Sequence, residues 1–297
     1  MFTFLLIHLI PGDLVTVLVG LNLGAAPDAA DQIRAALHLD DPLHIQYLKW
    51  LWSALHGDLG NSLILGFPVG TQIVQHLPIT LELAMLAIMF SLLFGIPLGI
   101  IAARARNRWP DVTVTALSLL GLSTPEFFLG TIIILLGSLY APGLRTFGYV
   151  PFTQDPLGNL QSMVFPAVTL GFALSTIVMR YTRSSILEVL REQYITTARA
   201  KGLSNRVVLY RHALRNALIP VVTVAGLNGA YLVGGTVVVE TVFVLPGVGS
   251  LVLNAIYQRD YTVVQGTALV VTAFVVAINV IVDLLYYVID PRVRLEA

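Results

Sequence analysis

The sequence predicts an all-α membrane protein of six spans, and three observations predict it. Charged residues make up only 11% of the 297-residue chain and hydrophobic ones 56%, whereas a soluble chain is about a quarter charged. So few charges cannot cover a globular surface, and lipid must be the solvent for much of the chain. Apolar runs also recur at the length a bilayer requires, roughly 20 residues. The basic residues between those runs are dense on alternate connections, as the two sides of a membrane demand.

Five runs qualify or nearly do. Residues 83–103 carry no charge, and 112–140 is interrupted only by Glu126. Residues 163–179 are short but continue helically, and 217–239 and 263–282 are both uncharged. With their flanks, the spans are expected near 78–103, 112–140, 163–182, 217–242 and 263–289. Residues 1–10 rise only about 15 Å as a helix, half of a hydrocarbon core, before Pro11-Gly12-Asp13 ends the run. An odd count would put the termini on opposite sides, so residues 1–10 are expected to be the last part of a first span. A re-entrant or interfacial stub is the alternative.

Orientation follows from the positive charges. Thirteen of the 17 Lys and Arg residues lie in three segments. The first holds Arg104, Arg106 and Arg108. The second holds Arg180, Arg183, Arg191, Arg199, Lys201, Arg206, Arg211 and Arg215, and the tail holds Arg292 and Arg294. These are assigned to the cytoplasm by the positive-inside rule. With a complete first span both termini are cytoplasmic too. The expected organisation is therefore a partial span at 1–10, an external region at 11–77, and a permease domain at 78–290 with a cytoplasmic loop at 184–216. Residues 291–297 form a cytoplasmic tail. In the external region, residues 33–55 are amphipathic, with Tyr47, Trp50 and Trp52 among polar residues. This fits either a helix lying in the interface, where Trp and Tyr are favoured, or a docking surface for an external partner.

Several function classes find no support. A net charge of zero gives no bulk basic excess for a nucleic-acid partner. There is no cysteine, hence no thiolate metal site and no thiol nucleophile. The six histidines (His8, His38, His44, His56, His76, His212) show no ligand spacing, so neither a metal nor any other cofactor is expected. No Gly-x4-Gly-Lys-Ser/Thr phosphate loop occurs, and no nucleophile–base pair marks an intramembrane enzyme. The chain is expected to be non-catalytic. An ion-coupled secondary transporter remains the alternative, but it predicts matching broken helices in two halves. The basic loop has no counterpart in the first half.

Ionisable residues inside a membrane are functional candidates. Glu126 follows Pro125 in mid-run, which breaks the backbone ladder beside it; a cavity-lining role competes with packing against another helix. Glu126 and Asn228, in the fifth span, are the candidates for a translocation path. For Glu82, Glu240 and Asp283, a position near the interface or at a helix end competes with function. Gly226, Gly229, Gly234 and Gly235 suggest close helix approach in the fifth span.

The loop carries the densest pattern. Ile186, Leu190, Tyr194 and Ala198 recur every four residues, with Leu187 on the same face, which predicts one amphipathic helix over 184–200. Gly202 suits a left-handed C-terminal cap and Ser204 an N-cap for a second helix over 205–216, which leads into the fifth span. A small-residue turn joins them: Thr196, Thr197, Ala198, Arg199, Ala200, Lys201, Gly202, Leu203, Ser204. On physics alone, a generic basic loop touching anionic headgroups competes with a site where another backbone approaches closely.

Arg-Ala-Lys-Gly-Leu-Ser at 199–204, followed by Arg-His-Ala-Leu-Arg-Asn-Ala-Leu-Ile-Pro at 211–220, resembles the cytoplasmic signature of binding-protein-dependent ABC importer permeases. The broad signature (Glu-Ala-Ala, three residues, Gly, nine residues, Ile-x-Leu-Pro) matches at Ala198, Gly202 and Leu214. The departures are those of the dipeptide/oligopeptide/nickel branch. The stretches 9–13, 56–62, 240–243, 246–249 and 290–294 resemble that branch as well. The resemblance implies a six-span ABC importer permease fold in the inner (plasma) membrane of a prokaryote. It implies as partners a second homologous permease, two cytosolic ATP-binding subunits and an external solute-binding protein, and as cargo a peptide or related small solute. The turn at 197–204 would be the coupling helix seated on an ATPase, with Gly202 as its tight turn and Arg199 and Lys201 as orienting contacts.

Overall fold

The computed structural model describes residues 41–289, and no strand runs through them beyond an isolated bridge between Asn61 and Pro68. The readings placed on residues 1–40 and 290–297 lie outside the described residues. The elements are α1 (Leu43–Leu55), α2 (Val69–Arg104), α3 (Trp109–Ser123), α4 (Glu126–Tyr140), α5 (Pro156–Val189), α6 (Gln193–Ala200), α7 (Asn205–Val207), a π-helical turn (Val208–Ala213), α8 (Leu214–Gly235), α9 (Val237–Val242), α10 (Val248–Gln258) and α11 (Tyr261–Ile289). Helices α2, α5 and α11 are each long and apolar enough to cross a bilayer, and the pair α3–α4 is a fourth if taken as one broken span.

The chain divides into two compact units. Among the described residues, the first comprises 41–79 together with 247–274. Its core is Val69, Ile73, Ala255 and Val263, with Leu59 and Leu251 against it. Buried Asp260 precedes α11. Its carboxylate accepts from Ser62 Oγ at 2.5 Å and from the Leu63 and Val263 N–H groups at 3.3 Å. The loop before α2 is thereby tied to the start of α11. Helix α1 buries no residue within this unit, and Leu48, Trp52 and Leu55 are exposed on it.

The second unit, residues 80–246 and 275–289 among the described residues, is the larger bundle, with α5 at its centre. Small residues let the helices approach α5 closely. A β-carbon on Gly95 would lie 2.8 Å from the Ser175 carbonyl oxygen, and one on Gly99 2.7 Å from that of Met179. Gly171 of α5 in turn meets Ala87 of α2. As α2 advances from 87 to 99, its partners on α5 advance from 171 to 182, so the two helices run parallel. Gly121, Gly130 and Gly137 meet Thr176, Thr169 and Phe165 in that order, so α3 and α4 run antiparallel to α5. Helix α8 is antiparallel as well: Ala213 and Ala217 cluster with Ile186, and Val221 and Ala225 with Leu174 and Val178. The connections at 105–108 and 190–213 therefore emerge at the same end of this unit, and both are the basic ones.

The run 112–140, in which Pro125 is expected to break the backbone ladder, is two helices: it breaks at Thr124-Pro125 with a bend of 105°. Proline lacks the N–H and biases the residue before it to extended backbone, and Thr124 has ψ 120°. The stretch 184–200 is not the one helix expected. Helix α5 continues to Val189, residues 190–192 turn, and α6 starts at Gln193. Of the glycines expected to allow close approach, Gly226 meets Val282 and Gly229 meets Ile88, whereas Gly234 faces open space.

Candidate coupling loop and translocation path

The break at 190–192 changes which residues of α6 face inward. A continuous helix would bury Tyr194 along with Ile186 and Leu190. Glu192 instead adopts an extended backbone (ψ 147°), and the phase shifts by one residue. Ile195 and Ala198 become the buried face, while Tyr194 is 41% exposed. Its hydroxyl accepts from Asn216 Nδ2 at 2.9 Å, which ties α6 to the base of α8. No glycine or proline marks this break. What holds it is the burial of Ile195 and Ala198 in a cluster with Ile100 and Ala103 of α2, Ile186 of α5, Val208 and Leu209 of the π-turn, and Ala213 and Ala217. The underside of the short helix is thus packed against the ends of three long helices at once.

The turn after α6 is closed by two backbone hydrogen bonds, Leu203 N–H to the Ala198 carbonyl (3.3 Å) and Gly202 N–H to the Arg199 carbonyl (2.9 Å). This is the paired pattern of a Schellman C-terminus, which requires a left-handed residue; Gly202 supplies it at φ +80°. Ser204 stands at the N-terminus of α7 with extended backbone, but its side chain makes no capping hydrogen bond. Of the residues expected to contact an ATPase, Thr197, Arg199, Ala200, Lys201, Gly202, Leu203 and Ser204 are exposed. Ala198 is turned inward and is 8% exposed. The outer face therefore presents small side chains, the apolar Leu203 and Val207 (each 37% exposed), and the cations Arg199, Lys201 and Arg206.

The translocation-path candidates are placed separately. Glu126 is the first residue of α4, directly at the 105° break, half-buried. Asn228 lies in α8, half-buried, its Nδ2 donating to the Val224 carbonyl of its own helix at 2.8 Å. Glu240 is fully buried and accepts a hydrogen bond from Thr80 Oγ1 at 2.7 Å, joining α9 to α2. Glu82 accepts from the Tyr149 hydroxyl at 3.0 Å. It borders a groove of about 580 Å³ with Leu86, Phe152, Leu157, Asn159 and Leu160. Burial first, and the Glu82 carboxylate second, push the Tyr149 hydroxyl up to about 12. The side chain of Asp283 lies outside the described ones.

One ionic contact escaped the sequence reading. Arg183 of α5 donates from Nε to Asp111 Oδ1 at 2.6 Å and from Nη2 to Oδ2 at 2.8 Å. Asp111, 4% exposed, also accepts from the Asn107 N–H at 2.9 Å. Its only local signal was Trp109-Pro110-Asp111, a proline and an acid in the first turn of a helix.

The family model for the inner membrane component of binding-protein-dependent transport systems matches residues 95–295, and the companion model for the N-terminal part of such components matches residues 1–84. The chain belongs to this family. It is a non-catalytic permease component of an ABC importer, resident in the inner membrane, and its family implies ATPase and binding-protein partners. The DppB dipeptide transport system permease protein of Escherichia coli K12 is 41% identical over 98% of this chain and 93% of its own length. The GsiC glutathione transport system permease protein of Salmonella paratyphi A is 39% identical over 98% and 92%. A peptide transport system permease protein of Brucella abortus 2308 is 45% identical over 99% and 93%. Among solved structures, the MetNI methionine ABC transporter in inward-facing form matches with a TM-score of 0.62 at 19% identity, covering 74% of this chain and 96% of the matched one. That similarity shows the fold: an all-helical ABC importer permease.

Proposed function

We propose that this chain is one of two homologous permeases that together form the path for peptides or small peptide-like solutes. It has six spans and both termini on the cytoplasmic side, and the turn at 196–204 seats in a groove on a cytosolic ATPase. The observation that carries the coupling role is the two-faced build of α6. Its underside is fixed to α2, α5 and the base of α8, while its outer face and the Gly202 turn are exposed, small and basic. A rigid element of this kind delivers a displacement of the ATPases to several spans together, which alternating access requires. The peptide reading is supported by the names of the relatives, which refer to peptide, dipeptide and glutathione transport systems; glutathione is itself a tripeptide. Glu126, at the broken span, and Asn228 are assigned to the path. A carboxylate at bilayer depth is costly unless it lines a polar route.

The chain has no cysteine, which makes the test direct. Single cysteines at Thr197 and Ala200 are expected to crosslink to the ATPases in the assembled importer, and cysteines at Trp52 and Phe152 are not. Uptake of labelled dipeptide and of glutathione into proteoliposomes containing the binding protein then ranks the cargo. Absence of any loop crosslink in a complex that transports would remove the coupling assignment. Transport of neither peptide would remove the cargo class.

A further inference from the structure

Cytoplasmic displacement reaches α2, α5 and α8 through the apolar cluster beneath α6, but α3 contributes no residue to that cluster. Helix α3 nevertheless begins at the same end of the unit and leads into the 105° break and Glu126. It is joined to α5 there by the contact between Asp111 and Arg183.

We propose that Asp111 and Arg183 form the clamp through which motion of the coupling helix is passed from α5 to α3, and so to the broken span. Four observations converge on it. The contact is a two-point fork, at 2.6 and 2.8 Å, and a planar guanidinium held at two points resists both sliding and rotation. The Asp111 side chain is 6% exposed and that of Arg183 31%, so the pair is shielded on its carboxylate side and is screened less than a fully exposed salt bridge. The third partner, the Asn107 N–H, comes from the connection between α2 and α3, where Asn107 adopts φ +59°. The carboxylate thus fixes the start of α3 to that turn as well as to α5. Finally, Arg183 stands one helical turn before Ile186, which is fully buried in the cluster under α6. On α5, the residue that receives the displacement and the residue that passes it on are three positions apart. The nearby apolar contacts of Ala102, Val114 and Met179 pack the helices without direction, and the fork adds a directional tie between them. Asp111 and Arg183 are positioning residues: in this scheme they touch neither cargo nor nucleotide.

The inference rests on the coupling reading above. Its test uses the complete importer, with ATPases and binding protein, in proteoliposomes. Asp111→Asn and Arg183→Ala are expected to leave the ATPases copurifying in wild-type ratio and ATP hydrolysis within about twofold, while solute carried per ATP falls roughly tenfold. The double variant is expected to be no worse than either single one. Arg183→Lys, which keeps the charge and loses the fork, should fall between. Spin labels on cysteines at Ala116 and Arg191 supply a readout that a purely structural pair would not move. In the wild type their separation is expected to stay constant when a non-hydrolysable nucleotide binds, and in Asp111→Asn it should change. Unchanged solute per ATP in Asp111→Asn overturns the clamp. So do a nucleotide-dependent separation in the wild type, and additive losses in the double variant. Failure of the coupling reading shows differently, as a loop that makes no crosslink to the ATPases in an importer whose wild type transports.

Discussion

Two chain reversals in the larger unit share one hydrogen-bond pattern and reach it by opposite routes. After α6, Leu203 N–H returns to the Ala198 carbonyl and Gly202 N–H to that of Arg199. After α9, Leu245 N–H returns to the Glu240 carbonyl at 2.8 Å and Val244 N–H to that of Thr241 at 3.3 Å. Both need a left-handed residue. The first uses glycine, at φ +80°; the second uses valine, at φ +56°. A left-handed L-residue costs roughly 1–2 kcal/mol, and β-branching makes valine a rare choice there. What holds Val244 is on either side of it. Phe243 and Leu245 are almost fully buried, and the Phe243 carbonyl accepts from the Gly148 N–H at 2.9 Å. The Gly202 turn has no such neighbours: a β-carbon there would meet nothing within 4 Å. One turn is encoded locally and left open, as the proposed seating on an ATPase requires. The other is imposed by the core around it.

The largest effect that would break this comparison is at Ala198. Sequence periodicity puts this residue on the apolar face of the loop helix, and the family resemblance puts it in the turn seated on an ATPase. It is buried, 8% exposed, and an unpaired carboxylate there costs several kcal/mol. Ala198→Glu is therefore expected to destabilise the permease itself, seen as a large drop in its thermal midpoint in detergent, with no ATPase present. A midpoint within a degree of wild type would put Ala198 on the outer face.

Next comes Gly202→Arg, which should leave the permease inserted but reduce ATP-driven uptake at least tenfold and weaken copurification of the ATPases. Gly202→Ala is its control. It carries the same backbone strain, about 1 kcal/mol, without the bulk, and is expected to retain at least half of wild-type uptake. Equal losses in both variants would mean that strain, and not occlusion of a docking surface, explains the first.

A smaller and opposite effect is expected at Val244. The side chain is 66% exposed, so little burial is lost in Val244→Asn, and asparagine tolerates the left-handed region. The variant should be more stable by about 1 kcal/mol, a rise of about 2–4 °C in a domain of this size. A fall in the midpoint would show that Val244 is held by contacts of its own.

The smallest change belongs to Ser204→Ala. A serine that caps through its side chain is worth about 1 kcal/mol, but Ser204 makes no such bond. A loss below about 0.5 kcal/mol is expected by thermal melting, within the ordinary range for a surface substitution. A full capping loss would show that the hydroxyl closes on α7 in solution.

Composition, run length and charge asymmetry determined the membrane class, most of the helical runs and the single end at which the basic connections meet. Each depends on transfer free energy summed over many residues, which no single contact overturns. Local backbone chemistry determined the Gly202 turn and the weak point at Pro125, since glycine's freedom and proline's missing N–H act within two residues. Tertiary structure alone decided the rest. Whether Tyr194 or Ile195 faces inward depended on a break at 190–192 that no local residue announces, because its stability comes from burial against Ile186, Val208 and Leu209. The partnership of Asp111 with Arg183 spans 72 residues of sequence and exists because α3 and α5 pack antiparallel at a distance set by small residues. An ion pair has no periodicity to betray it. Only the packed helices bring its two ends together.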